Sequence, residues 1–442
     1  MNKAAFKKSV PVVRINEWNT TVLEGVTLGA DDRRLAKDLS ATNRLEVEEL
    51  RAGLRIRSKS WIGVVRLSKI EIQIHPKLSG DNVRVIEMIE LTQGLDILKR
   101  MPGIREIDTN GKSLMDLLAM MLIHEAERLI RNGLLSDYVE QVDELPVLRG
   151  RILADRQVLK RFGRVDRVIC QFDDRSQDIP ENQVLAIGTQ LCARFATDEA
   201  IRRKAREISH ILRQTCSPSA FDVRRGDSQI VYNRMNAIYE DAHQLCWLII
   251  RMCGVKDFYA SSTITSFAFM LDMNRLFEEF VYKLVEHILD AKVWKVIKQV
   301  SSRSIVWNDT ANRSYATVRP DIVLRHQETG RVLTIDAKYK LYDTKKINSA
   351  DIYQSFLYAF GFHKELSQHL PQSILLFPAS STDSQPLDLK IRDMGRAPIA
   401  QVFAQGLPIP EAIDEVKEVS ASAHVEALAR LFEARQQHFG AM

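Results

Sequence analysis

Residues 319–340 read RPDIVLRHQETGRVLTIDAKYK, two strand-like runs joined by the turn HQETG. Ile, Val and Leu fill much of both runs, as a pleated and half-buried surface requires. Three charged residues, Asp321, Asp336 and Lys338, interrupt them. Side chains alternate along a strand, so Arg319, Asp321 and Val323 share one face of the first run, and Thr334, Asp336 and Lys338 share one face of the second. A hairpin therefore brings two carboxylates and an ammonium group to one place. An interior carboxylate is costly without compensation, and two that converge repel each other unless a cation lies between them. Hard oxygen donors with few dedicated protein groups are what Mg²⁺ prefers. A lysine beside such an ion can place or activate water and offset charge developing on phosphorus, so the pattern points to metal-assisted phosphodiester hydrolysis.

Two flanking helices are read into the same cluster. NRLFEEFVYKLVEHIL places Glu278 and Glu279 about forty residues before Asp321, and one of the two can point toward the acids while its neighbour faces solvent. ADIYQSFLYAFGF places Gln354 and Tyr358 four residues apart, on one helical face. By itself that second helix reads as a structural element.

The balance of charge bears on the partner. The 442 residues carry a net charge of +5, with a sequence pI near 8.8, which leans toward an anionic partner such as nucleic acid. Five scattered cysteines without a CxxC pair support neither a disulfide framework nor a zinc site. MNKAAFKKSVPVV has early lysines but no apolar signal core, and no stretch reaches the roughly 18 apolar residues of a membrane span, so a cytoplasmic protein without a membrane partner is expected. The GKS at Gly111 to Ser113 has Glu106 where a phosphate-binding loop needs glycine, so a nucleotide motor is not expected in this chain.

The length predicts several domains, and the expected fold class is α+β multidomain. Residues 1–95 read as a β-rich N-terminal, partner-contacting domain. Ile70, Ile72 and Ile74 alternate there with Glu71, Gln73 and His75, as in a sheet with one wet face. In LRIRSKSWIG, Arg55, Arg57 and Lys59 are expected to project from a turn closed by Trp61 and Gly63, either as a solvated loop or as a finger touching DNA or a partner. Residues 96–255 read as a mostly helical middle region. There His124 is a core or boundary histidine, Asp173, Asp174 and Asp178 belong to a loop and helix cap, and IRRKAREISHILRQ is a solvated helix face. The basic segment 149–167 and the basic residues around 201–206 are further candidates for phosphate contacts. Residues 256–442 begin with a long amphipathic helix, continue through strands, a helix and the apolar strand SILLFPA, and end in an Ala-rich helical tail from about 420.

The order Glu, Pro-Asp, Asp-x-Lys, Gln-x-x-x-Tyr resembles the PD-(D/E)xK nuclease superfamily in the version with an added Gln/Tyr helix. LDMNRLFEEFV, VRPDIVL, LTIDAKYK and DIYQSFLYA resemble the C-terminal nuclease region of the McrC family, the cleavage subunit of McrBC-type restriction systems that attack modified DNA. GVVRLSKIEIQIHPKL, VLRGRI and CQFDDRSQDIPENQVL resemble that family's upstream half, so the likeness runs from about 60 to 380. The resemblance implies a C-terminal α/β PD-(D/E)xK core and a Mg²⁺-dependent DNA endonuclease subunit acting on modified double-stranded DNA. Glu278 would be the helix acid and a further metal ligand, Asp321 and Asp336 the metal-binding acids, Lys338 the catalytic lysine, and Gln354 with Tyr358 the accessory pair. It also implies a separate AAA+ GTPase of the McrB type, contacted through the N-terminal half and stimulated by this chain. A stand-alone repair or recombination nuclease and a non-catalytic regulator of a motor are the competing expectations.

Overall fold

The hairpin read from residues 319–340 occupies two places in a six-stranded sheet in the computed structural model of the chain. Its strands run in the order Trp294–Lys298, Ile322–His326, Val332–Ala337, Gln372–Ala379, Pro398–Pro408 and Leu387–Arg392. Ile322–His326 is antiparallel to Val332–Ala337, which lies parallel to Gln372–Ala379, itself parallel to Pro398–Pro408. Those central strands are covered on both faces, which is why Ser373 to Ala379 is buried residue after residue instead of alternating. The helix Met273–Ile288, capped by Asp272, buries Met273, Leu276, Phe277, Phe280, Val281 and Leu284 at spacings of three and four. The helix Ser349–Phe362, capped by Asn348, packs on the strands Val332–Ala337, Gln372–Ala379 and Pro398–Pro408.

The described residues are 10–77, 81–95, 98, 112–164, 166–253, 266–340, 342, 346–363, 370–379 and 386–418. They divide into two units, one drawn from Met1–Ile62, Lys69–Leu95 and Leu271–Met442, the other from Gly63–Ser68 and Asp96–Met270. Both are discontinuous in sequence, so neither coincides with a consecutive segment such as 1–95, 96–255 or 256–442. Glu106 and Gly111, read above against a phosphate-binding loop, lie outside the described residues, as does the Ala-rich tail from about 420. No helix among the described residues is long and apolar enough to cross a membrane.

In the first unit, Val12–Asn16 pairs in parallel with Glu71–His75. The wet face expected for Glu71 and Gln73 is absent, because both are buried. Polar partners replace water there: Gln73 donates to Glu71 at 2.9 Å and accepts from Arg14. A three-stranded sheet places Gly53–Ser58 between Thr20–Glu24 and Leu45–Leu50. Arg55 and Arg57 are thus strand residues, and only Lys59 and Ser60 lie in the turn before the strand Trp61–Arg66. The period-two pattern of buried Leu54, Ile56 and Ser58 against Arg55 and Arg57 carries that strand. The helix Asn82–Gln93 packs on both Met273–Ile288 and Ile409–Glu418. There Arg84 makes a two-pronged contact with Asp414 at 2.5 and 3.0 Å and reaches the buried Glu87, which also pairs with Lys417.

The second unit holds the helices Leu114–Asn132, Pro180–Phe195, Glu199–Thr215 and Glu240–Cys253, and also a three-stranded sheet in the order Asp137–Leu145, Val168–Ser176, Arg151–Ile152. The sheet is an element that the mostly helical reading of this stretch did not include. Asp137–Leu145 is exposed on both faces, so it carries no apolar alternation to read. Asp173 and Asp174 are consequently strand residues, whereas Asp178 is a turn residue that accepts from Gln183 and from the Ser217 N–H, both at 2.8 Å.

Removing the Arg84 fork leaves Glu87 buried with less positive charge beside it. Arg84→Ala is expected to cost about 2 kcal/mol of stability, the scale of hydrogen bonds to charged groups, read as a fall in the denaturation midpoint. An unchanged midpoint would show that this helix junction stands without the fork.

Candidate functional site

The hairpin register fixes the core of the site. Ile322 stands opposite Ile335 and Val323 opposite Thr334, so the step before Ile322 and the step after Ile335 bring Asp321 and Asp336 face to face. Asp321 Oδ2 accepts the Ala337 N–H at 2.8 Å, and the Asp321 carbonyl accepts the Gln299 N–H at 2.8 Å. Asp336 is 1% exposed. Its Oδ1 accepts from Lys338 Nζ at 2.9 Å, while Oδ2 is buried without a hydrogen-bond donor.

Burial raises both carboxyls above the usual range. Each feels further negative charge, Asp321 chiefly from Glu278 and Asp336 from Asp321, and Lys338 opposes the rise in both. The two acids lie close enough for one protonated carboxyl to donate to the other, so they titrate as a pair. Burial acts to lower the Lys338 pKa, but Asp336 and Asp321 outweigh it and the lysine stays charged above its ordinary range.

The choice between Glu278 and Glu279 follows from their partners. Glu279 pairs with Lys298 on the neighbouring edge strand. Glu278 makes no such pair among the described residues. Its pKa is raised first by burial and further by Asp272 and Asp336, with Lys338 acting against the rise, which places its charge at the cluster. The Phe277 ring lies 5.7 Å from that of Tyr339, joining this helix to the end of the Asp-x-Lys strand.

Across the sheet, Gln354 Nε2 donates to Tyr358 Oη at 2.6 Å. The buried Tyr358 hydroxyl is raised by desolvation and then by Asp336. The expected helix pair therefore meets the acids and lysine at one site. Beside it lies a cluster outside the motifs: Asp351 accepts from Lys340 at 2.7 Å and from the Tyr342 hydroxyl. Its signals were present, since Lys340 follows Lys338 by two and Asp351 precedes Gln354 by three. Tyr339, between the lysines, donates to the buried Glu17 at 2.7 Å.

Arg55, Arg57, Lys59 and Trp61 stand apart from these groups in their bonding. Arg55 pairs with Glu48 at 2.8 Å, Arg57 with Glu46 at 3.1 Å and Lys59 with Glu46 at 2.5 Å, while the Arg44 guanidinium lies over the Trp61 ring. The positive charge there is matched by acids on the adjoining strand, and Lys59 holds Glu46 below the usual carboxylate range.

No three His, Cys, Asp or Glu side chains among the described residues are arranged as a metal-holding group. What the site offers a hard cation is the two opposed carboxylates and a buried Asp336 Oδ2 that no donor satisfies. This suits an ion that takes one or two carboxylates and keeps water elsewhere in its shell, as Mg²⁺ does.

The type IV methyl-directed restriction enzyme EcoKMcrBC of Escherichia coli (strain K12) is 21% identical over 290 residues, 62% of this chain and 79% of that protein. A chain from the half-complex of a tetradecameric assembly of Thermococcus gammatolerans McrB AAA+ hexamers with bound McrC shares the fold. Its TM-score is 0.65 at 15% identity, over 96% of this chain and 100% of that one. The model of the family described as McrBC 5-methylcytosine restriction system component matches residues 56–378. That span is well over half of the sequence, and the chain belongs to this family.

Proposed function

We propose that the chain is the DNA-cleaving subunit of a McrBC-type restriction complex, with a PD-(D/E)xK nuclease core and Mg²⁺ as its cofactor. The observation that carries this reading is the Asp321–Asp336 opposition with Lys338 bonded to it, in a member of a restriction family. Asp321 and Asp336 would hold the ion, with Glu278 adding negative charge beside them. When bound there, Mg²⁺ supplies a Lewis acid for the phosphodiester oxygens. Lys338 keeps a positive charge where negative charge develops, and the Gln354–Tyr358 pair presents an amide and a phenol to the same space. The partner is an AAA+ GTPase of the McrB type, whose turnover this chain stimulates, and the substrate is modified double-stranded DNA. The archaeal neighbour, solved as McrC bound to McrB hexamers, supports that partnership at the level of fold.

Asp336→Ala and Lys338→Ala are each expected to lower cleavage of methylated DNA, with motor and GTP present, by at least about a hundredfold, while the variants still bind the motor. Full cleavage by Asp336→Ala would sink the assignment. Stimulation separates the competing readings, because wild type and Asp336→Ala should raise GTP turnover equally. A chain that cuts without motor or nucleotide is instead a stand-alone nuclease, and one that stimulates without ever cutting is a regulator.

The metal reading has its own test in thermal melts. Asp336→Asn keeps the side-chain shape and removes one of two opposed charges, so the metal-free variant should melt at or above the wild type. Added Mg²⁺ should raise the melting temperature of the wild type and not of Asp336→Asn, because binding to the folded state alone stabilises it. An equal response in both proteins would place the ion elsewhere.

A further inference from the structure

The strands Ser302–Asn308 and Arg313–Val318 form a two-stranded antiparallel ribbon between the edge strand Trp294–Lys298 and the site strand Ile322–His326. Both roots of the ribbon meet at Asp321. The returning strand ends at Val318, three residues before that acid, and the outgoing side is held by the Gln299 N–H donating to the Asp321 carbonyl. Ile305 braces the ribbon on the helix that carries Gln354 and Tyr358, for a methyl added at Gly361 would stand 2.8 Å from Ile305 Cγ2.

Beyond that contact the ribbon is open on both faces. Tyr315 is 75% exposed and Trp307 46% exposed, a large apolar exposure for a narrow element with so little core to pack against. Arg303, Arg313 and Arg319 are exposed and form no ion pair among the described residues, whereas Asp309 is the only acid from Ser302 to Arg319. Seven residues of strand span roughly 20 Å, and the major groove of duplex DNA admits a two-stranded ribbon. Unpaired guanidinium groups beside exposed aromatic rings are what a phosphate backbone and its groove can use.

We propose that this ribbon grips duplex DNA beside the phosphodiester to be cut, with Arg303 and Arg313 on backbone phosphates and Trp307 and Tyr315 against the groove wall. The proposal rests on the nuclease reading and adds to it a substrate-holding element rooted in a metal-binding acid. Arg319, nearest to Asp321, would meet the phosphates closest to the cut.

The test measures binding of the full chain to a labelled duplex oligonucleotide across a salt series, in an Asp336→Asn background that keeps the duplex intact. Arg303→Ala with Arg313→Ala should weaken binding and lower the slope of log affinity against log salt by about 2, since each phosphate contact contributes about 0.9. Arg303→Lys with Arg313→Lys should keep most of the slope, and Trp307→Ala with Tyr315→Ala should weaken binding at every salt concentration without changing it. Lys390→Ala with Arg392→Ala, on the far edge of the same sheet, serves as the comparison and should leave both quantities unchanged. If the parent chain binds duplex and the ribbon variants match it in affinity and slope, the ribbon is not the grip and the nuclease reading stands. Equal loss in the lysine and alanine variants would also overturn the proposal, because it would show a structural role. A parent chain that fails to bind duplex at low salt, together with an Asp336-intact chain that never cuts, would end both readings.

Discussion

In the antiparallel pair Ile322–His326 and Val332–Ala337, the register that sets Ile322 against Ile335 also sets Asp321 against Asp336. A slip of one residue would turn one strand over and send its acid to the opposite face of the sheet. The register is held by burial: Ile322, Leu324, Leu333 and Ile335 are all within a few percent of fully buried, and the Ala337 N–H to Asp321 bond closes the ladder at the site itself. The apolar side of the hairpin thus enforces the electrostatic conflict on its polar side. The sheet continues through Gln372–Ala379 and Pro398–Pro408, so the conflict is built on a central strand and not on a mobile edge.

Neighbouring groups are arranged so that this conflict is only partly relieved. Lys338 offsets one negative charge, and Lys298 is engaged with Glu279, one residue beyond the acid that faces the cluster. Glu278, Asp321 and Asp336 all sit above the ordinary carboxylate range, with burial as the leading cause in each. Such a site stores affinity for positive charge. It is also braced from outside the sheet, by Tyr339 bonded to the buried Glu17 and by Asp351 joined to Lys340 and Tyr342. These bonds hold the strand end and the helix Ser349–Phe362 beside the opposed acids.

How far the sequence could be read depended on where burial was one-sided. The hairpin at 319–340 was legible because its apolar and charged residues alternate, and the helices carrying Glu278 and Gln354 were legible because their apolar positions recur at three and four. The sheet Asp137–Leu145, Val168–Ser176 and Arg151–Ile152 was not, since its strand Asp137–Leu145 is exposed on both faces and carries no hydrophobic period. Gln73 and Glu71 misled in the opposite direction: polar residues alternating with isoleucines imply water, but here they bury one another. Arg55 and Arg57 fit a charged loop as well as a strand, because only Leu54 and Ile56 alternate with them. Tyr339 and Glu17, more than three hundred residues apart, could not be paired by any local rule.

Net charge was the least local of the sequence signals, and the structure shows why it says little about where an anion would bind. Part of the basic residue count is consumed internally. In the segment 149–167, Arg149 is paired with Asp174 and Arg161 with Glu144, and in the helix Glu199–Thr215 Arg202 is paired with Glu199 and Lys204 with Glu127. Exposed pairs of that kind contribute little to stability, but they do lower the field that a phosphate would meet. Arg151, Arg156, Lys160 and Arg164 of the first segment are exposed and form no ion pair among the described residues, so the excess of +5 overstates the attraction of those surfaces only in part. It understates that of places where arginines lack acids, as on the ribbon from Ser302 to Val318. What matters for a polyanion is the sign of the charge left after local pairing, and Arg303, Arg313 and Arg319, which form no ion pair among the described residues, lie in the chain segment that leads to Asp321.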